Sequence, residues 1–428
     1  MKSFFQGIVG YIKSLLIGPF AIMIVWLLSE RQRWKTRGQK PVVHNESPYD
    51  GRRIMLLALY EKGTLRPDVI RLLKAARNEG LYILAVNTLK LTDPAEVEGL
   101  IDCYIERPNF GRDFGSYRTG FLHLFQRGWH NDCPRLLLIN DSIFFSEERM
   151  SKFLSDMMGS EIEVLGSTEN FFMEHHLGSF CIAMSGSVLR NPSFRTYWNH
   201  YKQTDLRPYV IKRGEMGLTK TLKRCASAPD QFKALYDTSR FLNALRHDPD
   251  FVDFTIKNGR TCDIIVWPRF SARKVIDFLQ GRYLISAADM DDRKDLQLRV
   301  DSTLDELARM YPVNDSATLR GFVAKHLHAD EKVDDTVLDD AIHSVLGDIF
   351  MQGGHIHQSP APLIHLGLPI IKLDAIYRGT QNVYDTLRIA HLLQPVEADE
   401  YTHILTSRPF GGDTLTGWKR VAFMKGYI

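Results

Sequence analysis

Three short stretches hold most of the side chains able to do chemistry. Asn109-Phe110-Gly111-Arg112-Asp113-Phe114-Gly115-Ser116-Tyr117-Arg118-Thr119-Gly120 brings glycines, arginines and a carboxylate to a loop entering a helix. Backbone N–H groups at a helix start, with arginines beside them, suit a phosphate. The spacing matches no dinucleotide fingerprint, and a structural loop closed by an Arg–Asp pair accounts for the same residues. Leu136-Leu137-Leu138-Ile139-Asn140-Asp141-Ser142 is an apolar strand that ends in an amide, a carboxylate and a hydroxyl. Those oxygens suit Mg²⁺ or Mn²⁺ bridging a diphosphate, because hard cations take oxygen ligands. An Asp–Ser helix cap after a core strand is the other reading. In Arg213-Gly214-Glu215-Met216-Gly217-Leu218-Thr219-Lys220-Thr221 the P-loop pattern fails, since Thr219 stands where it requires glycine. Glu215 is then a carboxylate at a helix N-terminus, either a proton acceptor or a surface group complementing the helix dipole.

The elements that must position these residues are legible from periodicity. Ile54 to Tyr60 reads as a strand, Pro67 to Asn78 as a helix, and Leu81 to Val86 as a second strand closed by Asn87. A helix from Asp93, a strand over Asp102 to Ile105, a helix over Tyr117 to Arg127 and a strand over Arg135 to Ile139 follow. Strands alternating with helices predict an α/β fold with a mostly parallel sheet. Ligands bind such sheets at the carboxyl ends of the strands, which singles out Tyr60, Asn87, Arg107 to Asp113 and Asn140 to Ser142. Beyond residue 230 the pattern turns mostly helical, as in Thr303 to Met310 and Val337 to Ile349. There His355, His357 and His365 sit in a proline-rich loop. On an extended segment His355 and His357 point the same way, as in a metal or phosphate contact, or they belong to a plain interface loop.

The chain has 428 residues, more than one core usually holds, which implies at least two units. The divisions expected are an anchor and basic flank over 1–40, a linker over 41–52, the sheet domain over 53–230 and a mostly helical accessory unit over 231–428. Phe4 to Leu28 is nearly all apolar, though Gly18 and Pro19 interrupt it, and Arg31, Arg33, Lys35, Arg37 and Lys40 follow. That order predicts a helix that spans the bilayer or lies on it through residues 4–28, with the bulk on the cytoplasmic face of the cell membrane. The 54 basic residues against 51 acidic ones leave no electrostatic footprint for nucleic acid. Five cysteines, none in a C-x-x-C pair, argue against a disulfide framework or a zinc site and for reduced thiols in the core.

Taken in this order, Asn109 to Gly120, Leu138-Ile-Asn-Asp-Ser142, His176-Leu-Gly-Ser-Phe-Cys-Ile-Ala183 and Gly214-Glu-Met-Gly-Leu-Thr219 resemble the rhamnan synthesis protein F family of bacterial rhamnose-rich wall and O-antigen polysaccharide assembly. Gly367-Leu-Pro-Ile-Ile-Lys372 is similar to a further family feature. The resemblance implies a GT-A-type glycosyltransferase with a Rossmann-like sheet, moving a deoxyhexose such as rhamnose from a nucleotide diphosphate sugar to a polyprenyl-linked or glycan acceptor. By that resemblance Asp141 and Asn140 handle the diphosphate, directly or through Mg²⁺ or Mn²⁺. Arg112 and Asp113 position the donor, with Tyr60, Asn87, Asn109, Gly111 and Ser142 around it. Glu215 is the base of an inverting displacement, and His357 is a late metal or diphosphate contact. The chain departs from the Asp-x-Asp motif of GT-A enzymes, offering Asn140-Asp141-Ser142, which favours the competing class, a non-catalytic assembly or scaffolding protein on a degenerate transferase fold. A glycan hydrolase, the third class, needs two carboxyl groups about 5 to 9 Å apart in one cleft.

Overall fold

The computed structural model describes residues 2–262, 269–279, 313, 315–326 and 335–428, with the side chains of 2–16 and 324–326 outside the description. The expected helix from Thr303 to Met310 lies outside the described residues. In chain order the elements are α1 (Lys2–Thr36), β1 (Val42–Glu46), β2 (Ile54–Leu59), α2 (Pro67–Asn78), β3 (Tyr82–Asn87), β4 (Cys103–Glu106) and α3 (Arg112–Gln126). Then come β5 (Arg135–Asn140), β6 (Ile143–Phe145), α4 (Met150–Gly159), β7 (Val164–Asn170), β8 (His176–Leu177), β9 (Cys181–Ser185), α5 (Gly186–Arg190) and α6 (Pro192–His200). A helical run through α7 (Arg207–Val210), a π-turn (Ile211–Glu215) and α8 (Met216–Cys225) leads to β10 (Phe232–Tyr236). The remainder is mostly helical, interrupted by β11 (Ile370–Lys372).

Unbroken apolar runs make β2, β3, β4 and β5 buried at every position, the signature of strands covered on both faces. The sheet order is β1-β4-β3-β2-β5-β9-β7-β10. Strands β2 to β5 pair in parallel, β9 runs antiparallel between β5 and β7, and β10 returns parallel to β7. The carboxyl ends of β2, β3, β4, β5, β7 and β10 therefore share one edge.

Several expectations are corrected. The stretch 41–52, expected as a linker, contains β1, which caps the sheet edge antiparallel to β4; its polar side chains hid a strand held by backbone pairing. Pro94–Val97 is one 3₁₀ turn. Strand β10 lies past residue 230 yet belongs to the sheet, and Phe241, Phe350 and Leu363 join Leu137 and Ile139 in one core cluster. Gly18 and Pro19 do not interrupt α1, which runs on to Thr36.

Among the described residues no helix is long and apolar enough to cross a membrane. Helix α1 instead lays Ala21 and Val25 against Leu206 and Ala422, and Ser29 contacts Thr204. Its other face leaves Phe20, Met23, Trp26, Leu27 and Leu28 about half exposed.

One small pairing has a large effect on the site. Strand β11 runs antiparallel to β6 with Lys372 opposite Ile143, so the far C-terminal part of the chain is stitched to the residues just after β5.

Candidate functional site

The glycine-rich loop folds around a buried cation. Arg107 donates from Nη1 to the carbonyls of Phe110 (2.6 Å) and Pro108 (2.9 Å) and from Nε to Ser116 Oγ (2.8 Å). Gly111, at φ +94°, starts α3, and its N–H donates to Asp205 Oδ1 at 2.7 Å. A Cβ on Gly115 would lie 2.6 Å from the Phe110 carbonyl, so the tight turn requires glycine there. Because α3 begins at Arg112 instead of Tyr117, Asp113 falls in the first helical turn at the carboxyl edge of the sheet. Its carboxylate accepts from Asn140 Nδ2 at 3.2 Å, which joins the two motifs. Arg112 donates from Nε to the Asp205 carbonyl (2.9 Å) and still acts electrostatically on Asp113.

At the end of β5, Asn140 Oδ1 accepts from Ser142 Oγ at 2.6 Å and from the Ser142 N–H at 3.1 Å. Asp141 is buried, and its carboxylate accepts the Tyr60 N–H. Arg66 donates to the carbonyls of Asp141 (3.0 Å) and Ile143 (3.1 Å) and pairs with Asp68 at 2.9 Å. Burial first, and the adjoining Glu61 second, push the Asp141 carboxyl above its ordinary value, with Arg66 and the Tyr60 N–H opposing the rise. Asp113 is raised by burial too, with Lys372, Arg112 and Arg107 opposing the rise.

Glu215 does not start a helix. It closes the π-turn in the middle of the run from Arg207 to Cys225, so the dipole argument drawn from the sequence does not apply. Gly214 permits the bulge by letting the Phe114 ring approach, since a Cβ there would lie 2.9 Å from the ring. Such bulges often re-aim a functional side chain. His176, its Nδ1–H held by the Glu174 carbonyl at 2.8 Å, turns Nε2 to Glu215 Oε2 at 3.6 Å. Burial works against the imidazolium, but the Glu215 contact prevails and raises the His176 pKa. Glu215 is close enough to act electrostatically on both Asp113 and His357.

The two histidines expected to point together diverge, because residues 355–358 form a helical turn where an extended segment was expected. His355 enters the core, its ring 3.9 Å from Phe350 and 5.4 Å from Phe171. His357 faces Asp374, Lys372 and Arg207, and burial pushes its pKa down to about 4. His365 packs on Phe254 at 4.4 Å. Burial likewise takes His355 from 6.5 to about 4. Unfolding therefore takes up a proton between those values, and the stability His355 contributes at neutral pH is lost as pH falls from about 6.5 towards 4. His355→Phe should remove up to about 3 kcal/mol of that acid sensitivity, read as a flatter melting temperature against pH; an unchanged slope would show that His355 is not its source.

The remaining expected residues divide. The Tyr60 side chain is 56% exposed and only its N–H serves the motif. Asn87 is fully buried and spends its amide on Glu61 and Tyr104, which makes it a support. Asn109 is exposed, and its carbonyl accepts from Gln32 of α1 at 2.9 Å. Sequence reasoning missed Glu61, Arg66, His176, Arg207, Lys372, Asp374 and Arg378. Lys372 donates to Ser142 Oγ at 2.8 Å, with its ammonium 4.8 Å over the Phe180 ring. The end of the Gly367–Lys372 stretch was the one available signal for it.

These donors suit a protein-held Mg²⁺ or Mn²⁺ poorly. Asp141 is tied to the Tyr60 N–H, Ser142 faces an ammonium, and neither Asp141 nor His357 belongs to a group of three close ligand atoms among the described residues. Such a group does exist elsewhere, in Glu46, Cys103 and His123. There Arg127 pairs with Glu46 at 2.9 Å, and burial pushes the Cys103 thiol up to about 12, which disfavours the thiolate a metal needs.

Residues 81–275 match the family model described as rhamnan synthesis protein F, so the resemblance read from the motifs is present across that part of the chain. The uncharacterized protein y4gN of Sinorhizobium fredii (strain NBRC 101917 / NGR234) is 27% identical over 194 residues, 44% of this chain and 48% of its own length. The chain thus spans about half the length of that curated relative. Among solved structures the glycosyltransferase GlyE of Streptococcus pneumoniae TIGR4 aligns with 46% of this chain and 50% of its own, at 13% identity and a TM-score of 0.24. A likeness of that size carries no functional weight.

Proposed function

We propose that this protein is a glycosyltransferase of cell-envelope polysaccharide synthesis, moving a sugar from a nucleotide diphosphate donor to a glycan or polyprenyl-linked acceptor. The observation that carries the reading is convergence: Asp113, the Asn140–Ser142 turn and Glu215, three distant stretches of sequence, gather at the carboxyl edge of one mostly parallel sheet, where such folds bind ligands. The family description supports polysaccharide synthesis and is the support for reading rhamnose as the donor sugar. The sheet order, with one antiparallel strand between β5 and β7, supports a GT-A-type arrangement. In an inverting displacement Glu215 takes the proton of the acceptor hydroxyl as its oxygen bonds to the anomeric carbon. The bond from that carbon to the diphosphate breaks, and the nucleoside diphosphate leaves with its electron pair. His176, 3.6 Å away, supports Glu215 in that role.

Attachment to the cytoplasmic face of the membrane completes the proposal. The half-exposed apolar face of α1, followed by Arg31, Arg33, Lys35 and Arg37, suits a helix lying on an anionic bilayer that carries the acceptor.

The test is direct. Purified full-length protein is incubated with a panel of nucleotide sugars and polyprenyl-linked or rhamnose-containing acceptors, and nucleoside diphosphate release is followed. One donor should be consumed only when acceptor is present. Binding without turnover on any acceptor would leave the scaffolding reading in its place. Flotation with phosphatidylglycerol vesicles tests the attachment, which Phe20→Ser with Leu27→Ser should abolish.

A further inference from the structure

Building on the transferase reading, the geometry points to a seat of side-chain cations, Lys372 with Arg112, Arg207 and Arg378, that takes the diphosphate of the donor in place of a divalent metal ion.

Lys372 comes first because β11 places it there. Its register opposite Ile143 brings Nζ to 2.8 Å from Ser142 Oγ, at the position a GT-A motif gives to a second metal-binding acid. An ion shared between this motif and a diphosphate would have to sit beside that ammonium, and two cations at such a distance repel strongly in a half-buried cleft. The Ser142 hydroxyl spends its own proton on Asn140 and a lone pair on Lys372. Asp141, the remaining acid, already accepts the Tyr60 N–H, and the Arg66 guanidinium donates to its backbone carbonyl.

The facing wall is built from arginines. Arg112, Arg207 and Arg378 are each half-buried and lie close enough to repel one another. Arg207 is engaged by no ion pair among the described residues. Arg378 stands 3.6 Å from Asp374 through Nε, which makes no hydrogen bond. Asp374 lies among these groups, 3.6 Å from Arg378 Nε and within electrostatic reach of His357, Lys372 and Arg207. Like charges gathered in a cleft raise its affinity for an anion, and guanidinium forks match phosphate oxygens two at a time. As the diphosphate leaves, these cations take up its growing charge.

The experiment is titration calorimetry of the full chain with inorganic pyrophosphate, UDP and dTDP, in EDTA and in Mn²⁺. Pyrophosphate and at least one nucleotide should bind in EDTA, with affinity changed less than about twofold by Mn²⁺. Lys372→Met should weaken binding at least about tenfold and Lys372→Arg much less. Should Lys372→Met melt early, Arg207→Met carries the same expectation, since among the described residues no ion pair depends on it. Binding that appears only with Mn²⁺, or folded Lys372→Met and Arg207→Met variants that bind like the wild type, would overturn the proposal. The two readings fail separately. Metal-free pyrophosphate binding without turnover of any nucleotide sugar sinks the transferase and keeps the seat. Strictly Mn²⁺-dependent binding and turnover do the reverse.

Discussion

Glu215→Gln should lower sugar transfer by about 10² to 10⁴-fold while leaving nucleoside diphosphate affinity near that of the wild type, the effect expected when a general base is removed. The amide keeps the shape and the hydrogen-bonding reach of the carboxylate but accepts no proton. Glu215 sits in a π-turn that Gly214 fits against Phe114, so the isosteric change leaves the bulge intact and melting should be unaltered. Turnover within about threefold of wild type, well short of that range, would remove Glu215 from the chemistry. His176→Gln gives a second, smaller reading. The imidazole stands 3.6 Å from Glu215 and binds its proton more tightly for it. Its loss should move the acidic limb of the pH–rate profile, whereas a merely structural histidine would change stability alone.

Arg66→Met should destabilise the fold by about 3 kcal/mol, the low end of what is lost when one partner of a buried ion pair is removed. Its guanidinium lies among Asp68 (2.9 Å), Glu61 (3.5 Å) and two carbonyls of the motif strand. Asp68 is completely buried and also accepts the Phe145 N–H, so without Arg66 an acid is left in the core with one neutral donor. Denaturant unfolding measures the loss. The double variant Arg66→Met with Asp68→Leu should recover part of it, because the stranded charge goes too. A single-variant loss below about 1 kcal/mol would show that Arg66 is dispensable to the motif.

Much of the half that carries the site was legible from periodicity. Helix α2 begins at Pro67 and ends at Asn78 as its spacing predicts, and β2, β3 and β5 follow their apolar runs within a residue or so. Local pattern suffices there because each strand is buried on both faces and has one way to satisfy its backbone. Where local signals were weak the reading slipped. Strand β1 is exposed along most of its length and is held by its pairing with β4, which no periodicity reports. The start of α3 was read five residues late, because the polar, glycine-bearing turn at Arg112 to Ser116 gains its helical form from the contacts of Arg107 and Asp205.

By itself the sequence determined the mostly parallel sheet and the edge at which Asp113, Asn140 and Asp141 gather, since strand ends are local properties. Tertiary structure alone decided what those residues meet. Lys372 reaches Ser142 across 230 positions through a three-residue strand, and His176 reaches Glu215 across a sheet connection. His355 and His357 part ways because a helical turn replaces an extended one. Charge balance around a motif is a sum over elements far apart in the chain, so the surroundings of Asp141 and its neighbour Ser142 are set by Glu61, Tyr60 and Lys372 together. No window of sequence contains all three.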